Sequence, residues 1–463
     1  MKKIALTLAL ALGLSSPSFA WDMWETFKSQ SLSAGRIIDH SDKRLITTSE
    51  GESYGMFFAL VADDRPAFEA MLKWTENNLS NGDITKRLPS WLWGGENGHR
   101  GPWKILDTNN AMDSDMWIAY CLLEAGRLWD RPDYRAKGLA MLELIKNEVR
   151  TVPNLGMVLL PGRVGFETQK YVKLNPSYYP LFLLRRFAME DPYWEGVFAG
   201  SLRMLLRSAP NGYSPDWVSF DKSTGKVIPV DPSHEEALGS YNSIRVYLWA
   251  GITSPNDKSF DRLKAQFAPM VQTTLDRRYV PEKVNVYTLE MSDWGPRGFA
   301  ACLLPMLGQD KTASLFRSKL MGEPLIKENY YGNVLTLFAV GFDQGRYAFD
   351  ANGYVYFPKK PLEAPVNPYN PAANAVIPGS IEAPDAGANE TAGEHTPIQA
   401  AESVGYLPAH DIIKETVDGV PAVSADAVAQ PAPAPSSAEA PAAAAPASEA
   451  PAASSDAAVK PGV

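Results

Sequence analysis

Apolar residues recur at three- and four-residue spacing through most of the chain between Trp21 and about Pro358, the spacing of a helix with one buried face. "SYGMFFALVADD" is followed, across a short polar turn, by "RPAFEAMLKWTENNL". The arrangement repeats in "DMWIAYCLLEAGRLW" with "YRAKGLAMLELIKNEV", and in "SYYPLFLLRRFAM" with "WEGVFAGSLRMLLRSA". "EEALGSYNSIRVYLWAG" pairs with "DRLKAQFAPMVQTTL", "GPRGFAACLLPML" with "KTASLFRSKLM", and "NYYGNVLTLFAVGFDQ" closes the series. Roughly a dozen helices in hairpin pairs are predicted, with no βαβ alternation, so the fold class is all-α. A ring of inner helices surrounded by outer ones would accommodate such pairs; an irregular bundle is the alternative. "MVLLPGR" and "GYVYFP" read as minor β appendages.

The two ends depart from this pattern. Residues 1–20, "MKKIALTLALALGLSSPSFA", have two lysines, an apolar stretch and small residues before a cut after Ala20, the organisation of a signal peptide. Export to the periplasm or beyond is expected, with no lipid anchor because no cysteine follows the cut. No later run reaches about 18 uninterrupted apolar residues, so no membrane span is expected. Residues 359–463 are rich in Pro, Ala and Ser and lack the large apolar side chains that would offset ordering, which predicts a disordered tail. Three segments result: 1–20 signal peptide, 21–358 folded domain, 359–463 tail.

Of the 463 residues 45% are hydrophobic, enough for a substantial core, and the formal net charge is −9. That balance argues against nucleic acid as a partner, since phosphates call for a basic face. Cys121 and Cys302 both sit in apolar helical runs and read as buried free thiols rather than a disulfide. No P-loop, dinucleotide fingerprint, H-E-x-x-H or Cys/His cluster occurs, and "DSD" at 113–115 lacks the rest of a calcium loop. No cofactor and no metal are therefore expected.

What remains is carboxylates beside aromatics. In "TTSEGESYGMFFAL", Ser49 and Glu52 have the spacing of a capping box, which gives Glu52 a structural role. Glu50 has no such role and shares a face with Tyr54. A carboxylate in a first turn feels the positive helix end, so a proton donor there needs partial burial and a second carboxylate nearby. Asp113 and Asp115 both stand at a predicted helix start, and a single cap accounts for only one of them. Trp91, Trp93 and Trp103 lie in loops just upstream, and "LNPSYYP" and "SPDWVSF" add further aromatic-polar loops. Such loops suit stacking on sugar rings; rim packing is the plainer reading.

"TTSEGESYGMFFAL", "DSDMWIAYCLLEAGRLW", "NPSYYP", "SPDWV", "SYNSIRVYLWAG" and "YYGNVLTLFAVGFDQ", in that order, resemble glycoside hydrolase family 8, and most closely the branch encoded beside bacterial cellulose synthase. The resemblance runs from about Trp21 to about Asp350. It implies an (α/α)6 barrel and an endo-1,4-β-glucanase that hydrolyses β-1,4-glucan with inversion, trimming it during cellulose synthesis. Acid and base would then lie about 6.5–9.5 Å apart with a water between them and the sugar. The implied partners are the glucan chain and a cellulose synthase export complex, the enzyme itself being a monomer.

Position by position, the resemblance makes Glu50 the general acid. Asp113 becomes the residue that holds the distorted sugar and keeps Glu50 protonated. Tyr54, Trp91, Trp103, Tyr178, Trp217, Arg245 and Tyr330 would bind substrate. Relatives carry an aspartate base where this chain has Asn242, and an amide cannot take a proton from water at neutral pH. Either another loop supplies the base, with Asp231, Glu235, Glu236 and Asp293 as candidates, or the residue has been changed to trap substrate, or the protein is a glucan-binding scaffold of low activity.

Overall fold

The computed structural model describes residues 21–98 and 101–358; the predicted signal peptide and tail lie outside them. Twelve α-helices fill the described residues, and six of them form an inner ring. These are α2 (Ser49–Val61), α4 (Met112–Leu128), α6 (Leu181–Ala188), α8 (Ile244–Ile252), α10 (Arg297–Leu307) and α12 (Tyr330–Asp343). The outer helices are α1 (Asp22–Ser31), α3 (Arg65–Leu79), α5 (Pro132–Lys146), α7 (Tyr193–Ser208), α9 (Phe260–Arg277) and α11 (Lys311–Gly322). Each of α3, α5, α7, α9 and α11 packs on the inner helix just before it in the chain, and α1 packs on α12. The fold is an (α/α)6 barrel, as the hairpin pattern and the family resemblance together predict.

The two layers follow from burial. α3 buries one stripe, Phe68, Met71, Leu72, Thr75 and Leu79, at helical spacing. α2 is buried at every position from Gly51 to Leu60 and α4 from Met112 to Gly126, because an inner helix has neighbours on all sides. Gly55 marks the tightest crossing of α2: a Cβ there would lie 2.6 Å from Met71 Sδ and 2.9 Å from Ile37. The ring is filled with aromatics. Trp117 of α4 meets Tyr54, Phe57, Phe182, Trp249 and Phe338 at centroid distances of 5.0–6.0 Å, so five inner helices share one ring cluster.

One end of the barrel is sealed by the chain that follows α12. Phe349 stacks on Phe182 at 4.1 Å, and Tyr120 donates to the Gly353 carbonyl. The buried Glu124 accepts from Arg186 and from the Val355 amide. The other end, where the inner helices begin, carries short strands. β1 (Leu32–Ser33) pairs with β2 (Arg36–Ile37), and β3 (Thr47–Thr48), β4 (Leu92–Gly95) and β5 (Trp103–Asp107) make a three-stranded sheet. β6 (Val149–Val152) pairs with β7 (Gly156–Leu159), and β8 (Tyr171–Leu174) with β9 (Val218–Asp221). Cys121 and Cys302 are buried free thiols, as expected. No helix among the described residues is long and apolar enough to cross a membrane.

Two expected local features differ. Ser49 does not cap α2: Thr48 accepts from the Gly51 amide at 3.0 Å, and the Ser49 hydroxyl has no partner among the described residues. Thr48 takes the cap because its pairing with Leu92 already holds it extended, the conformation a cap needs. Glu52 turns outward instead of back, accepting from the Ile37 amide at 2.6 Å and the Thr75 hydroxyl at 3.2 Å. Neither Asp113 nor Asp115 caps α4, whose N-cap is Ala111; both lie inside the helix and are buried. Asp115 is held by the Asn110 amide at 2.7 Å, and burial pushes its carboxyl well above the usual range.

Candidate active site

Glu50, Asp113 and Arg245 are each the second residue of an inner helix, and Tyr330 is the first residue of another. Because the inner helices begin at the same end of the barrel, these four side chains converge. Helix N-termini carry partial positive charge, so this end is suited to hold carboxylates.

Arg245 organises the group. It is buried on α8 beneath Glu50, whose side chain remains 22% exposed. One guanidinium nitrogen donates to Glu50 Oε2, lies 3.6 Å from Asp113 Oδ2, and reaches the Tyr54 hydroxyl at 3.4 Å. The other donates to Ser177 Oγ at 3.1 Å and to Asn242 Oδ1 at 3.0 Å. Burial lowers the Arg245 pKa, but the surrounding phenols and carboxylates outweigh it, and the net shift is well above the ordinary value. The second oxygen of Glu50 accepts from the Tyr330 hydroxyl at 3.1 Å.

Asp113 is buried, and that burial lifts its carboxyl to about 6; Arg245 opposes the rise and Glu50 adds to it. Arg245 therefore ties the two carboxyl groups together from inside the barrel. A partly exposed carboxyl with a buried one behind it is the arrangement that proton donation to a leaving oxygen requires.

Asn242 stands where the resemblance places a base. Its side-chain oxygen accepts from Arg245 and from Asn175 Nδ2 at 3.1 Å. Both donors would equally suit a carboxylate. None of the four loop carboxylates hydrogen-bonds to this group. Asp231 folds onto Ser233, Glu235 pairs with Lys173, and Glu236 is bonded to Ser219 beside the same lysine. Asp293 is exposed, and its backbone carbonyl holds the Glu282 amide.

The aromatic candidates separate into two kinds. Tyr54 and Tyr330 are buried and touch Arg245 and Glu50, so they position the charged group rather than offering faces to a sugar. Trp103 is 39% exposed and stacks on Trp93 at 5.0 Å. The guanidinium of Arg36 lies 4.7 Å from one of these rings and 5.1 Å from the other. Trp217 and Tyr178 are half-buried and face each other at 6.3 Å, with Phe166 stacked on Trp217 at 5.7 Å. Trp91 is half-buried and holds α2 in place by accepting the Ser49 amide.

Sequence reasoning assigned no role to Asn175, Ser177 or Tyr331, nor to Asp216 of "SPDWV". Asn175 was legible as the head of an Asx turn in "NPS", and its side-chain oxygen does accept from Ser177. Asp216 carried no comparable local signal.

A barrel of this kind, with a partly exposed carboxyl at its open end and aromatic faces around it, fits a carbohydrate-cleaving enzyme. The sequence profile of Glycosyl hydrolases family 8 matches residues 1–345, and the chain belongs to that family: it is a glycoside hydrolase. It is 43% identical over 348 residues to a protein named Endoglucanase from Escherichia coli O157:H7, covering 75% of this chain and 93% of the relative. Among solved structures it is similar to the endo-1,4-D-glucanase of Vibrio fischeri ES114, with a TM-score of 0.68 and 42% identity over 73% of this chain and 99% of that one. The endo-beta-1,4-glucanase CMCax of Acetobacter xylinum superposes with a TM-score of 0.57 at 29% identity, over 69% of this chain and 96% of that one.

Proposed function

We propose that the protein is an exported endo-1,4-β-glucanase that cuts internal bonds of a β-1,4-glucan with inversion and trims the glucan made by a cellulose synthase. One observation carries the reading. Glu50 is the partly exposed carboxyl of a group otherwise buried, joined through Arg245 to Asp113 and capped by Tyr330. Glu50 donates its proton to the leaving glycosidic oxygen, and sugar entry displaces its contact with Arg245. Asp113, charged above about pH 6, draws the sugar hydroxyls into the distorted ring that precedes cleavage. Trp103, Trp217 and Tyr178 supply apolar faces for sugars along the cleft. The printed names of the E. coli, V. fischeri and A. xylinum relatives support the 1,4-glucanase assignment, and the 20-residue leader pattern supports export.

The test is release of reducing ends from a soluble substituted cellulose, with viscosity followed in parallel to report internal cutting. Wild type is expected to be active and to produce the α-anomer first. Glu50→Gln is expected to lower kcat by about 10²–10⁴-fold or more. A second reading, a glucan-binding protein with little activity, is favoured by the amide at Asn242. An inactive wild type that gains activity in Asn242→Asp would establish it and remove the first.

A further inference from the structure

Inversion needs a second carboxylate to take the proton of the attacking water, and Asn242 cannot act as one. Asp216 is bonded to the backbone of the same turn. β8 and β9 pair with Leu174 opposite Val218, which brings Asn175 and the Asp216–Trp217 step to the same end of the hairpin. Asn175 then reaches the Asn242 side chain, while Asp216 reaches the Asn242 backbone. Asp216 Oδ1 accepts from three amides of the turn that opens α8: Ser240 at 2.7 Å, Asn242 at 3.1 Å and Ser243 at 2.7 Å. The Asp216 amide in turn donates to the Leu238 carbonyl at 2.8 Å.

Those bonds use one carboxylate oxygen. Among the described residues Oδ2 of Asp216 has no hydrogen bond, and the residue is only half-buried. The Tyr331 hydroxyl donates to the Tyr241 carbonyl, one residue before Asn242, and so holds the same turn from α12. No other carboxylate among the described residues bonds to the backbone of this turn.

We infer that Asp216 is the general base, its Oδ2 taking a proton from a water held beside the Asn242 side chain. The inference rests on the inverting-hydrolase reading above. The water oxygen bonds to the anomeric carbon as the glycosidic C–O bond breaks. The Glu50 proton passes to the leaving oxygen, and the water proton to Asp216. Oδ1 stays anchored on three amides throughout, so the base is oriented by the turn that would otherwise have carried it.

Asp216→Asn retains an acceptor for those amides and removes only the charge. It is expected to lower kcat by about 10²–10⁴-fold with little change in KM and an unchanged melting curve. Adding Asn242→Asp to Asp216→Asn is expected to restore roughly a tenth or more of kcat, because a carboxylate is returned to the same turn. If wild type is active and Asp216→Asn stays within about tenfold of it, this inference is overturned while the glucanase reading stands. The same holds if activity is lost and the second substitution fails to restore it. An inactive wild type overturns the glucanase reading and this one with it. Should Asp216→Asn melt early, its turnover is compared with that of wild type below the melting temperature of the variant: a loss under about tenfold overturns the base role, and a larger loss restored by Asn242→Asp supports it.

Discussion

Glu50 and Glu52 are separated by a single glycine on the first turn of α2, yet no residue bonds to both. Glu50 looks into the mouth of the barrel, and its partners come from positions 195 and 280 residues away. Glu52 looks outward, toward β2 and α3, with partners 15 and 23 residues away. The first is partly exposed beside a buried cation. The second is fully buried, and burial lifts its carboxyl to about 8, against the bonds from Ile37 and Thr75 and the nearby charge of Arg36. One helical turn therefore carries a carboxyl that opens into the barrel mouth and a carboxyl buried in its wall. Direction from the helix axis decides between them, and the residue type does not.

The comparison can be broken most severely at Glu50: Glu50→Gln removes turnover by the factor given above, whereas Glu52→Gln is expected to leave kcat within about threefold. A smaller but still large effect is expected in Arg245→Met. That change strips the buried cation from Glu50 and Asp113 and should cost about 3–5 kcal/mol in urea-induced unfolding. Glu52→Gln sharpens the contrast through pH. The folded-state pKa of Glu52 lies above its ordinary 4.5, so its contribution to stability is full below that value and declines as pH rises through about 8. Wild type should lose about 1.4 kcal/mol per pH unit from this group across that window. In Glu52→Gln the loss should vanish, as measured by unfolding at pH 5 and pH 8. The smallest effect is expected at the rim, where Trp103→Ala should raise KM about 2- to 10-fold and leave kcat nearly unchanged.

Helix positions were largely legible because an outer helix must show a stripe and an inner one a continuous apolar run. The exceptions are where tertiary contacts overrule local pattern. The run "EEALGSYNSIRVYLWAG" reads as one helix, but α8 begins only at Ile244. Glu235–Ala237 form a 3-10 turn, and Leu238–Gly239 pair with Val284–Asn285. A Cβ at Gly239 would lie 2.1 Å from the Ser214 carbonyl, so the segment is pinned to a distant loop before a helix can start there. The cap of α2 shifts by one residue for a similar reason, the pairing of Thr48 with Leu92. Glu50 and Asp113 could be singled out because local capping did not account for both carboxylates in either motif. The contacts of Asp216 depend on β8 meeting β9, which no local spacing announces.

The contact between Tyr330 and Glu50 spans 280 positions, joining the first residue of the last inner helix to the second residue of the first. Nearly the whole ring must therefore be threaded before Glu50 acquires this partner. A chain still emerging, or one cut short before α12, has Glu50 without Tyr330 and a barrel with one wall open to water. With Glu50 as the proposed acid, turnover in a refolding experiment is expected to return only once α12 has met α2, a contact of high sequence separation.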